Sequence, residues 1–271
     1  MTAATTQASG ATQASGTTGL WAQSTLIGGR VLKHFVRSPM MLLATFGFPL
    51  LQLFMLLATF RILVRDTLGE SYVVRLAPLI ILVTAFSAIG SSAIAFWVDI
   101  RSGVFSRLRA MPINALSILF GRMLGDLVRI MGIAVLVSLI AYLPGFRFEQ
   151  GVGAALGFFV LVALFGLMCT SIAVVAALSA PYPPVIMRWV QMPTLALTMM
   201  SSGYMPLDAF PDAVRPVVAA NPVSTAVEAL VGLSHGGPLL VPVLATLAWT
   251  VGVSVLCAVV MVRKFRSFVA G

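Results

Sequence analysis

The residues best suited to chemistry or partner binding lie between Asp99 and Arg122, where charged and apolar side chains are interleaved. The stretch FSRLRAMPINALSILFGR, residues 105–122, carries three arginines among Phe, Leu, Met and Ile side chains. A segment with both an apolar face and fixed positive charge is suited to docking on an acidic, partly apolar partner surface. The alternative is a loop that rests on the membrane surface without a protein partner, and the spacing leaves both open.

The other reactive side chains do not form a catalytic or metal-binding pattern. The two cysteines lie in apolar runs, and the two histidines lack a carboxylate neighbour at helical spacing; these residues are Cys169, Cys257, His34 and His235. The lysines are Lys33 and Lys264, and neither follows a glycine, so the phosphate-binding pattern G-x-x-x-x-G-K-[ST] is missing. We therefore expect a protein that is not an enzyme and that binds no cofactor or metal itself.

The composition predicts an integral membrane protein. Of the 271 residues, 59% are hydrophobic and 9% are charged, and the mean hydropathy is +1.04. A soluble domain carries about a quarter charged residues, and no soluble core of this size would bury so many apolar side chains. We expect an all-α fold, because a helix satisfies its own backbone hydrogen bonds in lipid.

Six uncharged runs approach the roughly 20 residues that a helix needs to cross hydrocarbon. The predicted spans are residues 40–60, 76–98, 130–146, 152–180, 189–205 and 238–262. The third run reaches full length only if residues 125–129 form its first turn, and the fifth contains Pro193. Six spans place both termini on the same side of the membrane.

The distribution of charge predicts which side that is. With the N-terminus inside, the inner segments hold twelve basic residues and the outer segments hold five. The positive-inside rule then places both termini in the cytoplasm. The isoelectric point near 10.8 therefore reflects topology and contact with anionic lipid headgroups, and does not indicate nucleic-acid binding.

The region before the first span divides into two parts. Residues 1–19 are uncharged and of low complexity, which predicts a disordered cytoplasmic tail. Residues 20–38 place apolar and basic side chains on opposite faces of a helical wheel, as in a helix that lies in the membrane interface. A simple basic anchor before the first span explains the pattern equally well. The side chains that define this interfacial helix are Trp21, Arg30, Lys33, Phe35 and Arg37.

Ionisable residues approach the interior of the bilayer only at the inner end of the third predicted span. Arg122, Asp126 and Arg129 have the spacing to meet on one helix face. We interpret them as a self-neutralising helix start in preference to an ion pathway. A proton- or sodium-coupled carrier is correspondingly disfavoured but stays open, because unwound backbone also binds sodium.

Small and flexible side chains mark a candidate substrate pathway in the second and fifth spans. Its members are Gly90, Ser91, Met199, Met200, Gly203 and Tyr204. Thioethers beside small residues form an adaptable, weakly polar surface for bulky amphiphiles. Small residues also allow close helix packing, which is favoured for the second span, whereas both interpretations stay open for the fifth.

Two motifs in the chain have a specific order and spacing. The first comprises Asp99, Arg101, Gly103, Arg107, Leu108, Arg109 and Pro112, followed by Gly121 and Arg122. The second lies within residues 201–233, with markers that include Gly203, Asn221-Pro222 and Glu228-Ala229-Leu230. Both resemble the motifs of ATP-binding-cassette exporter permeases of the ABC type 2 family. The chain is most similar to permeases of the daunorubicin-resistance type, and the resemblance covers residues 20–271.

The resemblance implies a fold and a mechanism. It implies six transmembrane helices, a cytoplasmic coupling segment over residues 99–122 and an outer re-entrant segment over residues 207–235. Two copies of a separate ATPase subunit would use ATP and Mg²⁺ and dock on the coupling segment, while a second permease chain would complete a homodimer or heterodimer. The cargo would be a drug, an antibiotic or a complex lipid.

Two departures from the family pattern affect the details of coupling. Asp99 stands alone where the cytoplasmic motif often has two acidic residues. The arginine that the family commonly has two or three residues after Glu-Ala-Leu is missing, since Val231, Gly232 and Leu233 follow here. The competing hypotheses are an ATP-independent carrier or channel and a membrane scaffold that transports nothing. The excess of arginine over lysine is typical of a GC-rich bacterium, which indicates the bacterial cytoplasmic membrane.

Overall fold

The computed structural model describes residues 43–63, 71–102, 115–204 and 207–270, and the regular structure in these ranges is helical. The α-helices are α1 Phe48–Leu63, α2 Ser71–Arg101, α3 Ala115–Ala141, α4 Gly151–Ser179, α5 Pro183–Ile186, α6 Met192–Met199, α7 Arg215–Ala220, α8 Pro222–His235 and α9 Leu240–Ala270. A π-turn, Leu43–Gly47, precedes α1, another, Met187–Gln191, joins α5 to α6, and a 3₁₀ turn covers Leu207–Ala209.

Four helices in the described ranges are long and apolar enough to cross a membrane. They contain the segments Val74–Arg101, Phe120–Ala141, Gly151–Ser179 and Leu240–Lys264, which confirms the second, third, fourth and sixth predicted spans as apolar helices. Within α1, the apolar segment Phe48–Ala58 is shorter. The predicted tail and interfacial helix, residues 1–38, lie outside the described residues.

The third span begins earlier than the sequence predicted. Helix α3 covers Ala115–Ala141, and its apolar span begins at Phe120, ten residues before residue 130 and five before the first turn expected at residues 125–129. Its charged residues therefore lie within the helix and not at its mouth, and the boundary prediction was wrong. The helix also ends five residues before the predicted limit of 146, because Leu143-Pro144-Gly145 follows: Gly145 has a φ of 122°, and proline cannot continue the helix.

The fifth predicted span also has different bounds, because the helical run in this region begins earlier than predicted and contains a π-turn. Helices α5 and α6 and the π-turn between them form a continuous run from Pro183 to Met199, so the predicted limits of 189 and 205 were wrong. The π-turn directly precedes Met192-Pro193. Proline lacks an N–H group and clashes with the carbonyl four residues earlier, and a π-turn accommodates this mismatch. The same arrangement recurs where the first π-turn precedes Pro49.

Helix α4 forms the centre of the bundle. It packs against α2, α3, α8 and α9, and Phe158, Phe165 and Met168 are among its fully buried side chains. Helix α8 has 14 residues, about 21 Å at the usual rise, which is too short to cross hydrocarbon. Nevertheless Val223, Ala226 and Leu230 of α8 have no exposed surface, because the helix lies against α2, α4 and α9.

Candidate functional site: two polar clusters in an apolar bundle

The first candidate site lies between the two helices that flank residues 103–114. A guanidinium nitrogen of Arg122 on α3 donates to Asp99 Oδ2 on α2 over 2.8 Å. Two turns further into the bundle, Arg129 Nη2 on α3 donates to Ser92 Oγ on α2 over 3.0 Å. Asp126 completes the group, since its Oδ1 lies 3.3 Å from Arg129 Nη2. We call these five side chains the inner cluster.

Neighbouring side chains connect α2 to the end of α4. Arg101 stacks over the Trp97 ring at 5.4 Å, and Trp97 Nε1 donates to the carbonyl oxygen of Ala180 over 3.0 Å. Ala180 is the C-terminal cap of α4. The ends of α2 and α4 nearest residue 103 are therefore held together beside the inner cluster.

The structure places three of the predicted coupling residues, Asp99, Arg101 and Arg122, at this end of the bundle. Asp99 and Arg122 form an ion pair, and Arg101 contacts Trp97. The other predicted coupling residues are Gly103, Arg107, Leu108, Arg109 and Pro112, which lie outside the described residues. Of the three residues predicted to meet on one helix face, Asp126 and Arg129 form an ion pair, while Arg122 pairs with Asp99 on α2. Ser92 was not identified as the partner of Arg129.

The second candidate site lies at the opposite end of α2. Arg75 Nη1 donates to Glu228 Oε1 of α8 over 2.6 Å, and Ser202 Oγ donates to the same carboxylate oxygen over 3.1 Å. The backbone N–H group of Ser202 donates to Ser224 Oγ over 2.9 Å. This arrangement ties three parts of the chain together: α2, the turn after α6 and α8.

Asn221 organises the same region from a buried position. Its Nδ2 donates to the carbonyl oxygens of Leu197 and Met200 at the end of α6, over 2.7 and 2.8 Å. Its Oδ1 accepts from the N–H group of Val223 and so caps α8. Arg75, Ser202, Asn221, Ser224 and Glu228 are together called the outer cluster.

The predicted pathway residues divide between buried and exposed positions. Gly90 and Gly203 are buried: a Cβ on Gly90 would lie 2.7 Å from Gln191 Oε1, and one on Gly203 would meet Leu79 and Val227. Both glycines are therefore sites of close packing. Ser91, Met199 and Met200 are exposed on the isolated chain, and Tyr204 is partly buried.

Neither cluster has the composition of a metal site. Within the described ranges, no three His, Cys, Asp or Glu side chains lie close enough together to hold a metal ion. Both cysteines are buried free thiols. Each cluster instead combines arginines with carboxylates and hydroxyls, an arrangement that holds helices and turns in fixed relation inside an apolar bundle.

The fold and these clusters define a polytopic membrane protein with helices tied at two levels. Residues 22–234 match the family model described as ABC-2 type transporter, and the chain belongs to this family. It is an integral membrane protein of the ABC transporter permease class, as the sequence motifs predicted.

Two relatives have names that refer to drug resistance. The chain is 27% identical over 245 residues to the "Probable doxorubicin resistance ABC transporter permease protein DrrC" of Mycobacterium tuberculosis, which covers 90% of this chain and 88% of that protein. It is 28% identical over 138 residues to the "Daunorubicin resistance ABC transporter permease protein DrrB1" of Streptomyces coeruleorubidus, which covers 51% of this chain and 49% of that protein.

Proposed function

We propose that this chain is the membrane-spanning subunit of an ATP-driven exporter that moves a hydrophobic or amphiphilic compound out of a bacterial cell. The compound is a drug, an antibiotic or a complex lipid. ATP and Mg²⁺ are used by a separate ATPase present in two copies, and a second permease chain, identical or similar, completes the pathway. The family match over residues 22–234 supports this proposal, together with the drug-resistance permeases among its relatives.

The observation that carries the proposal is the position of the basic segment relative to the inner cluster. Residues 103–114 connect α2 to α3, and Asp99 and Arg122 pair just beyond its two ends. A partner that pushes on this segment acts on two membrane helices at once. The arginines of the segment, Arg107 and Arg109, give it the charge to meet an acidic surface.

We further propose that the chain crosses the cytoplasmic membrane six times with both termini inside. The described helices supply four long spans, while α1 and the run from α5 to α6 are the remaining candidates. The α5–α6 run has 17 residues, about 25 Å at the usual helical rise, which is near the hydrocarbon thickness. Helices α7 and α8 form the outer segment that dips back into the bundle.

The first test is a pull-down from detergent-solubilised membranes that compares the native chain with an Arg107→Glu, Arg109→Glu double variant. We expect an ATPase with a phosphate-binding loop to accompany the native chain and to be lost from the variant. An Arg147→Glu, Arg215→Glu variant is the matched control, because it makes the same change of charge on the predicted outer side. Absence of an ATPase from all three samples contradicts the proposal and favours an ATP-independent carrier or channel.

The proposed pathway is tested by separating transport from abundance. Ser91 is exposed on α2, so Ser91→Phe is expected to lower drug efflux while the amount of protein in the membrane stays native. Gly90→Phe is the neighbouring control: Gly90 is buried against Gln191, so this bulky side chain should lower efflux and abundance together. Equal loss of efflux and abundance in Ser91→Phe contradicts a pathway position for this residue.

A further inference from the structure

The inner cluster has a regular geometry that its individual contacts do not reveal. Ser92 and Asp99 are seven residues apart on α2, and their partners Arg129 and Arg122 are seven residues apart on α3. The two helices run in opposite directions, so the pairs form two rungs of one antiparallel register. Seven residues span two helical turns, and the rungs are therefore separated by about 10 Å along the helices.

We call the Ser92–Arg129 pair the upper rung and the Asp99–Arg122 pair the lower rung. The upper rung lies deep in the apolar part of α3. Arg129 is nine residues beyond Phe120, where the apolar part of α3 begins, which corresponds to about 14 Å along the helix. A charge at this depth is costly unless it is paired. Asp126 pairs with Arg129, and Asp99 pairs with Arg122, so the formal charges of the four groups sum to zero. The cluster is internally compensated, which is the property of a structural tie and not of an ion pathway.

The two rungs also lie next to the segment on which a docked partner would act. Helices α2 and α3 are joined directly by residues 103–114, and the lower rung lies at the ends of that segment. Two helices held at a single point can splay or rotate about it. Two rungs separated along the helices resist both movements, because one movement would have to break two charge-assisted hydrogen bonds.

We infer that Ser92, Asp99, Arg122, Asp126 and Arg129 are positioning residues that make α2 and α3 move as one unit when the connecting segment is displaced. This inference rests on the proposed function, because it takes the displacing partner to be the ATPase. It assigns a role to Ser92, Asp126 and Arg129, which lie outside the family motif at residues 99–122. The inner cluster thus transmits motion to the outer half of the bundle.

Distances within the assembled permease–ATPase complex test the inference. Spin labels are placed at Val98 on α2 and Phe120 on α3, both about half exposed, after both native cysteines are replaced by alanine. A second pair joins Val98 to Leu256, an exposed residue of α9. Labelled chains are diluted into unlabelled chains, and distances are measured without nucleotide and after trapping with ATP and vanadate.

In the native chain we expect the α2–α3 distance to change by less than about 2 Å on trapping, while the α2–α9 distance changes by more. In Asp99→Asn and Arg129→Gln, the α2–α3 distance should change and broaden, and the α2–α9 change should shrink. Exchange of the lower pair, Asp99→Arg with Arg122→Asp, should restore the native pattern. Arg188→Gln, which removes an exposed arginine outside the cluster, should behave as the native chain.

Each outcome decides the inference. If the α2–α3 distance of the native chain changes as much as the α2–α9 distance, the two helices do not move as a unit. If Asp99→Asn and Arg129→Gln keep native distances in both states, the rungs do not hold the helices together. Both results overturn the inference in a complex that still binds its ATPase, whereas failure to recover any ATPase overturns the proposed function and the inference with it.

Discussion

The inner and outer clusters both place partly buried charged side chains between helices, but they stabilise different kinds of backbone. The inner cluster lies between α2 and α3, two long helices whose backbone hydrogen bonds are satisfied internally. Its side chains bond to one another. The outer cluster lies where α6 ends and α8 begins, and Asn221 and Ser224 bond mainly to backbone groups that the broken helices leave without a partner.

This difference in bonding partners predicts different roles for the two clusters in stability and in helix motion. Buried non-helical backbone must find hydrogen-bond partners in the protein, so loss of the outer contacts leaves buried polar groups unsatisfied. Long helices need no such help to fold, and loss of the inner contacts mainly frees their relative motion. We therefore expect variants of the outer cluster to lower folding stability and variants of the inner cluster to affect coupling.

The largest expected effect is at Asn221. Asn221→Ala removes two hydrogen bonds to α6 carbonyls and the cap of α8, and should lower the free energy of unfolding by about 2–4 kcal/mol. The measurement is denaturation in mixed detergent micelles. Asn221→Asp keeps the capping oxygen but loses both donors, so it should fall between alanine and native. A native stability for Asn221→Ala would show that this break in the chain does not depend on the outer cluster.

Alanine substitutions at two glycines, one beside each cluster, compare how tightly the two regions are packed. Gly203 lies in the turn of the outer cluster, and its Cβ in Gly203→Ala would meet the fully buried side chain of Leu79. Overpacking of this kind costs about 1–3 kcal/mol. A Cβ added at Gly90, two residues from Ser92, would lie nearest to the flexible end of the Gln191 side chain, which can swing aside. Gly90→Ala should therefore be nearly neutral, and equal thermal destabilisation of the two variants would contradict this account.

A matched pair of arginines compares the clusters directly. Arg75→Gln leaves Glu228, which is 26% exposed, with only its serine donor and should cost about 1–2 kcal/mol. Arg122→Gln leaves Asp99, which is 44% exposed and therefore more solvated than Glu228, and should cost less than about 1 kcal/mol. The same micelle denaturation measures both variants. A greater loss in Arg122→Gln would reverse the assignment of stability to the outer cluster and coupling to the inner one.

The smallest effect is a pH dependence near the outer cluster. His235 accepts a hydrogen bond from the N–H group of Arg147, and burial lowers its pKa below the ordinary value near 6.5, although Glu149 acts in the opposite direction. Because the unfolded chain then binds the proton first, stability is complete above about pH 6.5 and falls as the pH drops towards the lowered pKa. Melting temperatures at pH 7.5 and 5.5 should differ slightly in the native chain and less in His235→Asn. Equal pH dependence of the two proteins would assign the effect to another group.

Local sequence features predicted the parts of this protein that depend on composition and on short motifs. The four long spans follow from uncharged runs, and the family follows from the motifs beginning at Asp99 and at residue 201. The limits of α3 were missed because Arg122, Asp126 and Arg129 were taken to mark the end of an apolar run. Their cost inside a helix is offset by partners that the local sequence does not reveal, above all Asp99 and Ser92 on α2.

The sequence by itself determined that the chain enters the membrane and to which family it belongs, because hydropathy is a sum over neighbouring residues and a motif is a string of them. The tertiary structure alone decided which polar groups meet. Arg75 and Glu228 are 153 positions apart, and Arg122 and Asp99 are 23 apart. Such pairs form only when packing fixes the register and rotation of whole helices, and those quantities depend on every contact in the bundle at once.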